Sequence, residues 1–382
     1  MRVALLTDGI HPHVVGGMQR HSYYLAKFLA ANGVQVDLYH TIPGKTAETD
    51  SLPGFTQEEK NNCRSIVIPF PKMGDFPGHY IRESYEYSRK IAEKLQQETL
   101  PDFIYAKGFT AWELVNLKSK GMSLPPVGIN FHGYEMFQKQ PDFISSLKSK
   151  IFFKAPVLFN IRNADYVFSY GGKITSIIKS LGIPSGKIIE HPTGISADWI
   201  KSDALNTHDG LRFVFVGRDE RRKGIHELLS VIEKLPVNGN WEFHFIGKFS
   251  KKAKGKHIIY HGEIKDNAVM RSKLDQCDVL VCPSHSEGMP NVIIEAMSRG
   301  LAILATDVGA VSVAVNESNG WLIAPGDSSM LMKSLRQILN ADYADILSKR
   351  EASRKMVSDR FLWNTIALDT IASIKKCIGH EA

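Results

Sequence analysis

Cysteine is scarce in this chain, with four residues among 382. They are scattered along the sequence, and only Cys277 and Cys282 lie close together. That spacing matches neither a disulfide framework nor a zinc knuckle. Cys282 ends the apolar run that begins at residue 279, so we expect a buried structural thiol there rather than a nucleophile.

Long apolar runs are also missing. No segment approaches the roughly 20 continuous apolar residues that a bilayer-spanning helix needs. The first residues, Arg2–Leu6, have the pattern of a strand and not that of a secretory leader. We therefore expect a cytoplasmic protein, either free or at the inner face of the cell membrane.

Several catalytic motifs are absent from the sequence. It contains no P-loop, no nucleophile elbow and no Gly-x-Gly-x-x-Gly after the first strand pattern. These absences weaken the kinase, hydrolase and dehydrogenase hypotheses. No Asp-x-Asp pair and no cluster of His, Cys and Asp with ligand spacing occurs either. We therefore expect a metal-independent site and no permanently bound cofactor.

Basic residues exceed acidic ones, and the formal net charge is +7. The bases form no long block and no nucleic-acid module is recognisable, so we expect no nucleic-acid partner. In residues 139–162, Lys148, Lys150 and Lys154 alternate with apolar residues at helical spacing. This pattern predicts either a surface that docks the N-terminal domain on a membrane or a core-facing helix with a solvated basic side.

Short β-branched runs alternate with helical patterns along the chain, which is typical of a parallel sheet with crossover helices. The series runs once through the first half and restarts at residue 211. The sequence therefore predicts an α/β protein with two doubly wound, Rossmann-like parallel sheets. The runs are 3–7, 34–39, 65–70, 103–106, 127–131 and 166–169, then 211–216, 242–246, 257–260, 278–282, 301–305 and 321–323.

These two series predict two domains, 1–195 and 205–360, with a turn-rich linker in Lys187–Gly210. Open parallel sheets bind ligands beyond the carboxyl ends of their strands. We therefore predict that the domains face an interdomain cleft that holds the active site. The helical pattern of residues 361–377 follows these domains, and periodicity alone assigns it to neither.

The most informative segment, residues 279–296, has the order strand, loop, helix. Gly288 permits a tight backbone path, and Pro290 and Asn291 are good helix starters, so the free N–H groups of the helix should meet a phosphate at the strand end. Glu287 and Glu295 can border the same pocket, where carboxylates suit sugar and ribose hydroxyls. The alternative is that Glu287 is a solvated loop residue and Glu295 a satisfied helix carboxylate.

A second loop of this kind follows the strand pattern 211–216. After Gly217, four of the six residues 218–223 are basic: Arg218, Arg221, Arg222 and Lys223. Such cations can bind a diphosphate and stabilise it as a leaving group. A solvated basic turn is the alternative.

Two weaker candidates lie in the first half. Gly16 and Gly17 precede a helical pattern and leave room for close approach of a ligand, although simple turn chemistry explains them as well. His132 follows the fifth strand pattern and precedes a glycine, which fits either a site residue or a structural histidine.

Taken together, these segments resemble glycosyltransferase family 4, the retaining enzymes of the glycosyltransferase B fold. The specific parts are Gly217-Arg218 with Lys223-Gly224, and residues 287–297, where a second Glu follows the first after seven residues. Gly16-Gly17, His132-Gly133 and residues 308–322 are similar to weaker family patterns. The resemblance covers nearly the whole chain.

The resemblance implies a role for each of these residues. Arg218 and Lys223 would bind the donor diphosphate, Glu295 the ribose and Glu287 the transferred sugar. Gly16 and Gly17 would approach the donor phosphates, and His132 would lie near the reacting face of the sugar. The last helix would cross back to the N-terminal domain. The loop formed by Met289, Pro290, Asn291 and Val292 would add backbone contacts to sugar and phosphate. Gly217 and Gly288 complete the expected donor-binding residues.

Two positions depart from the family pattern. The usual Asn-Gly-hydrophobic-Asp turn appears as Thr193–Ser196, and a glutamate is replaced near Val313. We therefore expect the linker geometry and the acceptor side of the site to differ from the family pattern. Neither departure removes a donor-site residue.

The predicted function is transfer of a sugar, with retention, from a nucleotide-sugar to a glycan or lipid-linked acceptor in bacterial cell-surface polysaccharide or lipopolysaccharide synthesis. A UDP-sugar is preferred over GDP-mannose on family analogy. Two hypotheses compete with this one: a nucleotide-sugar epimerase or phosphorylase of the same fold, and a non-catalytic nucleotide-sugar-binding partner subunit.

Overall fold

The computed structural model describes residues 1–44, 52–140, 143–207, 209–236 and 238–379. The chain divides into two compact units. Unit 1 comprises Met1–Phe137, Leu147–Thr193 and Trp363–Ala382, and unit 2 comprises Gln138–Ser146 and Gly194–Leu362. Residues 138–146, which the sequence analysis includes in the first domain, group with the second unit.

Each unit contains one parallel sheet, with seven strands in unit 1 and six in unit 2 among the described residues. The sheet orders are β3-β2-β1-β4-β5-β6-β7 and β10-β9-β8-β11-β12-β13. The strands are β1 Arg2–Leu6, β2 Gln35–His40, β3 Cys63–Val67, β4 Phe103–Lys107, β5 Val127–Asn130, β6 Tyr166–Ser169, β7 Ile188–Glu190, β8 Leu211–Val216, β9 Trp241–Ile246, β10 Ile258–Gly262, β11 Val279–Cys282, β12 Ala302–Thr306 and β13 Gly320–Ile323.

Helices lie between most consecutive strands as crossovers, and three more, α11 to α13, follow the last strand. They are α1 Gly17–Ala31, α2 Gln57–Asn62, α3 His79–Gln96, α4 Trp112–Ser119, α5 Phe143–Asn163, α6 Gly172–Ser180, α7 Ile225–Ile232, α8 Asn267–Leu274, α9 Asn291–Ser298, α10 Val311–Ala314, α11 Ser328–Leu339, α12 Tyr343–Arg360 and α13 Trp363–Cys377. Among the described residues, no helix has the length and hydropathy that a bilayer crossing requires.

The core of unit 1 lies on both faces of its sheet, which explains the continuous apolar runs of its central strands. Leu5 of β1 pairs in register with Leu38 of β2 and Tyr105 of β4, and all three are buried. The last helix, α13, contributes the buried Trp363, which stacks on Tyr24 of α1 at 5.8 Å between ring centroids. The C-terminal helix is therefore part of the unit 1 core.

The core of unit 2 contains a ladder of aromatic side chains on neighbouring strands. Phe213 of β8 stacks on Phe243 of β9, with 5.7 Å between ring centroids. A buried ion pair also joins this unit: Arg350 of α12 donates to Asp278 at the start of β11 at 2.6 Å. Because a buried charge is costly without its partner, this pair fixes α12 against the sheet.

Each of the twelve sequence runs overlaps a strand of the structure. The one described strand that no sequence run matches is β7. It lies in the segment that the sequence analysis assigns to the linker, so that assignment is wrong at Ile188–Glu190. β7 has three residues and pairs with β6 at the edge of the sheet. A strand this short has too few residues to show an alternating pattern.

Candidate active site

Two loops of unit 2 meet because glycine permits close backbone approach. The basic loop follows β8, and its last residue, Gly224, has the left-handed φ of +71° and precedes α7. A Cβ atom at Gly224 would lie 2.0 Å from the carbonyl oxygen of Pro283, which follows β11. A side chain there would therefore push the basic loop away from the β11 loop.

A third strand end contacts the same β11 loop. Thr306 of β12 donates to the carbonyl oxygen of Ser284 at 2.5 Å, and the Ala310 amide donates to that of Gly288 at 2.7 Å. Gly309 has φ +56°, and a Cβ atom there would lie 2.2 Å from the Glu287 carbonyl oxygen. The carboxyl ends of the neighbouring strands β8, β11 and β12 thus converge on the segment that carries Glu287, where parallel sheets place their ligands.

Glu287 is the charged centre of this region, and its side chain is 7% exposed. Its carboxylate accepts from Lys223 Nζ at 2.6 Å and from Ser284 Oγ at 2.8 Å. Arg222 Nη1 lies 3.3 Å from the second carboxylate oxygen. The hypothesis that Glu287 is a solvated loop residue is therefore wrong, as is that of a solvated basic turn at Lys223.

The electrostatic balance keeps Glu287 ionised. Burial acts to raise the pKa of its carboxyl, but the charges of Lys223 and Arg222, with the hydrogen bonds from Lys223 and Ser284, hold that pKa below its ordinary value. At neutral pH, Glu287 is therefore a buried carboxylate that is held by Lys223 and Arg222.

Arg218 lies in a different environment from Lys223 on the same loop. Its side chain is 77% exposed and pairs with Glu220 at 3.0 Å. Lys223 is 19% exposed and contacts Glu287. The structure therefore brings Lys223 and Glu287 together and leaves the Arg218 guanidinium accessible to a ligand from solvent.

The remaining predicted residues of unit 2 lie around the start of α9. Gly288 is partly exposed and Met289 is buried, and Pro290 is the N-cap residue of α9. Asn291 and Val292 form its partly exposed first turn, and Glu295 follows one turn later with 9% exposure. Gly217 donates its amide to Ile246 at the end of β9 at 3.0 Å.

The predicted glycines of unit 1 lie between β1 and α1. Gly16 is the N-cap residue of α1, and a Cβ atom there would lie 2.1 Å from Gln19 Oε1. Gln19 in turn donates to Asp8 at 2.9 Å. Burial raises the pKa of the Asp8 carboxyl to about 6, although the hydrogen bond from Gln19 acts in the opposite direction. Gly17 is exposed.

His132, which is partly exposed, belongs to a largely buried polar cluster at the ends of β4, β5 and β6. Its Nδ1 lies 2.6 Å from the Tyr170 hydroxyl, and its ring packs edge-on against His21 of α1 at 5.1 Å. Lys107 Nζ lies 3.1 Å from His21 Nδ1 and donates to Asn130 Oδ1 at 3.1 Å. Burial lowers the pKa of Lys107, and burial followed by the charge of Lys107 lowers that of His132.

Sequence reasoning missed several members of these clusters. Lys107 ends a buried strand, and a lone base closing an apolar run was the signal that could have found it. Arg222 was noted only as one of four bases, and Gln138 has no motif, although its side chain contacts the backbone of Glu287. Within the described residues, no group of three or more His, Cys, Asp and Glu side chains is placed to hold a metal ion.

Two family models match this chain, and together they cover most of it. The model described as Glycosyltransferase Family 4 matches residues 15–199, and that described as Glycosyl transferases group 1 matches residues 210–341. The chain belongs to glycosyltransferase family 4. It is thus a glycosyltransferase, and the resemblance inferred from residues 217–224 and 287–297 is confirmed.

Relatives and solved structures agree with this assignment. A Bacillus subtilis protein named as a teichuronic acid biosynthesis glycosyltransferase, TuaC, is 35% identical over 139 residues, which span 35% of this chain and only 36% of TuaC. Sucrose-phosphate synthase from Thermosynechococcus elongatus has a similar structure, with a TM-score of 0.74, 19% identity and full coverage of both chains. Anabaena HepE, solved in complex with UDP-glucose, has a TM-score of 0.67 and 16% identity, with 98% of this chain and all of HepE covered. These structures confirm the α/β fold with two Rossmann-like sheets, the glycosyltransferase B fold.

Proposed function

We propose that this glycosyltransferase moves a sugar, with retention of anomeric configuration, from a nucleotide-sugar bound by unit 2 to a glycan or lipid-linked acceptor. The observation that carries the proposal is the buried Glu287 carboxylate between Lys223 and Arg222, at the converging ends of β8 and β11. A carboxylate that two cations keep ionised can accept from sugar hydroxyls, while one of those cations, Lys223, also faces a diphosphate.

Arg218 and Lys223 bind the donor diphosphate in this proposal. The exposed Arg218 guanidinium can take phosphate oxygens as a planar fork, and Lys223 adds a point charge. As the bond to the sugar breaks, negative charge grows on the leaving phosphate, and preorganised cations favour that transition state over the ground state. The residues need no metal ion for this task, so we propose a metal-independent reaction.

The remaining donor contacts of this proposal are the roles that the family resemblance implies. Glu295, one turn into α9, holds the ribose, and Gly217 with the segment 288–292 supplies backbone contacts to sugar and phosphate. Glu287 grips the transferred sugar. In unit 1, Gly16 and Gly17 approach the phosphates and His132 lies near the reacting face of the sugar.

The reaction proceeds with attack of the acceptor hydroxyl on the face that the diphosphate leaves. The leaving phosphate takes the acceptor proton, so no side chain is needed as a nucleophile. Glu287 is already engaged by Lys223, Ser284 and Arg222 and is therefore a poor nucleophile. The proposal keeps Glu287 as a binding group.

A UDP-sugar is the proposed donor. HepE, which shares the fold, is solved in complex with UDP-glucose. The name of TuaC refers to teichuronic acid biosynthesis, which supports a surface polysaccharide as the context of the acceptor. Turnover of GDP-mannose beside UDP-sugars tests this choice of donor.

Contact with a membrane is proposed for α5. Ile151 on this helix is 63% exposed and Leu147 is 46% exposed, so apolar side chains face solvent rather than the core at these positions. Lys154 is also exposed, while the side chains of Lys148 and Lys150 lie outside the described residues. Basic side chains near an anionic surface contribute about 1 kcal/mol each. Flotation with vesicles containing phosphatidylserine tests this contact, and loss of binding in Ile151→Ser is expected.

Turnover of candidate donors tests the function directly. The protein is incubated with UDP-glucose, UDP-galactose or GDP-mannose, with and without EDTA, and release of the nucleoside diphosphate is measured. We expect release with one donor class, unchanged by EDTA, and a loss of about 10²-fold or more in Arg218→Ala.

Arg221→Ala is the matched control, because Arg221 is an exposed base on the same loop. Full turnover in Arg218→Ala would remove that residue from the mechanism. A non-catalytic binding protein would release no nucleotide from any donor.

A further inference from the structure

Lys223 has two tasks in the proposed function, because it contacts Glu287 and also binds the diphosphate. Its ammonium group has three N–H donors, and one of them donates to Glu287 Oε1, with 2.6 Å between Nζ and that oxygen. Any movement of this flexible side chain toward phosphate weakens its hold on a carboxylate that is almost fully buried. A buried carboxylate needs other partners to remain ionised in place.

Arg222 supplies such a partner from the neighbouring position. Its Nη1 lies 3.3 Å from Glu287 Oε2, the oxygen that Lys223 does not contact, and donates to the Ser286 carbonyl oxygen at 2.9 Å. The backbone oxygen of Arg222 also accepts from the His285 amide at 2.8 Å. Arg222 is thus tied at both its side chain and its backbone to the segment that carries Glu287.

The guanidinium of Arg222 is held in turn by Glu220. Arg222 Nη2 lies 3.4 Å from one oxygen of Glu220, and the other oxygen pairs with Arg218 at 3.0 Å. Because a guanidinium is a rigid plane, this second contact limits its rotation away from Glu287. The Arg222 side chain is 24% exposed and that of Arg218 is 77% exposed, so Arg218 is the more accessible of the two to a ligand.

Gln138 fixes the backbone of Glu287 rather than its side chain. The amide Nε2 of Gln138 donates to the Glu287 carbonyl oxygen at 2.8 Å, and the Glu287 amide lies 3.4 Å from Gln138 Oε1. A primary amide can match the donor and acceptor of one residue in this way. Residues 138–146 are far from Glu287 in sequence but belong to the same compact unit.

We propose that Arg222 and Gln138 are positioning residues that hold the Glu287 carboxylate and its peptide in the orientation that receives the donor sugar. The inference rests on the proposed function, since it assumes that Glu287 contacts the sugar. Neither residue touches the nucleotide in this account. Substitution should therefore weaken binding of a nucleotide-sugar while leaving binding of the free nucleoside diphosphate unchanged.

Calorimetric titration with two probe pairs tests this difference. UDP and UDP-glucose, and GDP and GDP-mannose, are titrated into the wild type, and the pair that binds is used for the variants. We expect Arg222→Gln to weaken nucleotide-sugar binding about 10-fold and to change diphosphate binding less than 2-fold. Gln138→Ala should give the same selectivity with a smaller loss, and Arg222→Lys should recover part of the affinity.

Matched controls are Arg221→Gln and Lys139→Gln, which change exposed bases next to each positioning residue. Thermal unfolding of every variant shows whether the fold is intact, and Arg222→Lys carries the test if Arg222→Gln does not fold. Equal losses for both members of the probe pair would overturn the proposal, because Arg222 would then bind the diphosphate or act only on stability. Unchanged affinity for both would overturn it as well. A wild type that binds neither pair would overturn the UDP-sugar donor of the proposed function, a result distinct from a failure of the variants.

Discussion

The strand ends of the two units bury ionisable groups in opposite ways. In unit 2, the Glu287 carboxylate lies between Lys223 and Arg222, and its pKa is held below the ordinary value despite burial. In unit 1, Lys107 is fully buried, and its described hydrogen-bond partners are His21, Tyr105 and Asn130, none of which is a carboxylate. Burial alone therefore does not determine whether an ionisable group is charged, because the charges and hydrogen bonds of its neighbours also shift its pKa.

This contrast separates two kinds of strand-end site. The unit 2 cluster keeps a charge by pairing it, which suits recognition of a charged and hydroxylated donor. The unit 1 cluster disfavours the charged forms of Lys107, His21 and His132, whose pKa values are all lowered, with burial as the first cause. Substitutions in the two clusters should therefore differ in their effects on turnover and on the pH dependence of the free energy of unfolding.

The largest effect is expected for Lys223→Met, which removes a cation from the paired site. We expect turnover to fall about 10²- to 10³-fold, because one preorganised charge on the leaving group is lost. The free energy of unfolding should fall by about 1–3 kcal/mol, since Arg222 and Ser284 still hold the carboxylate. Donor turnover and urea unfolding measure the two effects. Lys234→Met, at an exposed position of the same unit, is the control, and equal activity in the two variants would contradict the pairing argument.

Asp8→Asn tests another ionisable group of unit 1, the carboxyl that accepts from Gln19. The folded chain binds a proton at Asp8 more tightly than the unfolded chain, because burial raises the pKa from 3.8 to about 6. Stability is therefore lost as pH rises from about 4 to about 6. Asn keeps the acceptor for Gln19 without the charge, so we expect a gain of about 1–3 kcal/mol at pH 8 and almost none at pH 4. Urea unfolding at both values, with the exposed Asp75→Asn as control, decides the matter; a gain of the same size at pH 4 would show that charge is not the cause.

Lys107→Met should change the slope of stability with pH. The pKa of Lys107 is lowered by folding, so the unfolded chain binds the proton more tightly and wild-type stability rises as pH approaches the unfolded pKa of about 10.4. The variant lacks this contribution. We expect wild-type stability to rise relative to the variant between pH 7 and 9, by up to about 1.4 kcal/mol per pH unit. Lys120→Met changes an exposed lysine of the same unit and should show no such slope; parallel curves for wild type and Lys107→Met would mean that Lys107 is charged in the fold.

The smallest effect on stability is expected for Arg218→Gln. The Arg218–Glu220 pair is solvent-exposed on the arginine side, and exposed pairs contribute little to stability. We expect a change within about 0.5 kcal/mol in urea unfolding, against the larger loss for Lys223→Met. A large loss of stability in Arg218→Gln would remove the distinction between the two bases of this loop.

The sheets were predictable because parallel strands buried on both faces are continuous apolar runs, as in β1 and β11. The three-residue edge strand β7 was not, since it is too short for a pattern. The Glu287 loop was found from a strand, a glycine and two glutamates in one local segment. The family match then confirmed the class of enzyme.

The finer chemistry of the site could not be predicted from local sequence. Arg218, Arg222 and Lys223 are equivalent in a run of bases, and only the turn that Gly224 permits decides which of them reach Glu287. The Lys107 cluster draws side chains from β4, α1, β5 and the end of β6, so no single segment carries its signal. Gln138 could not be predicted for the same reason, because its partner, Glu287, is 149 residues away in the sequence.

Thermal unfolding with nucleotides tests the central claim, a nucleotide-sugar donor site in unit 2, most directly. UDP, GDP and ADP and their sugars are added at about 100 times the expected dissociation constant, where a bound ligand stabilises the fold by about 2.7 kcal/mol. We predict stabilisation by one nucleotide class, which is lost in Glu295→Ala and kept in Glu317→Ala, a change at an exposed position of the same unit. The absence of a shift with every nucleotide would contradict the account.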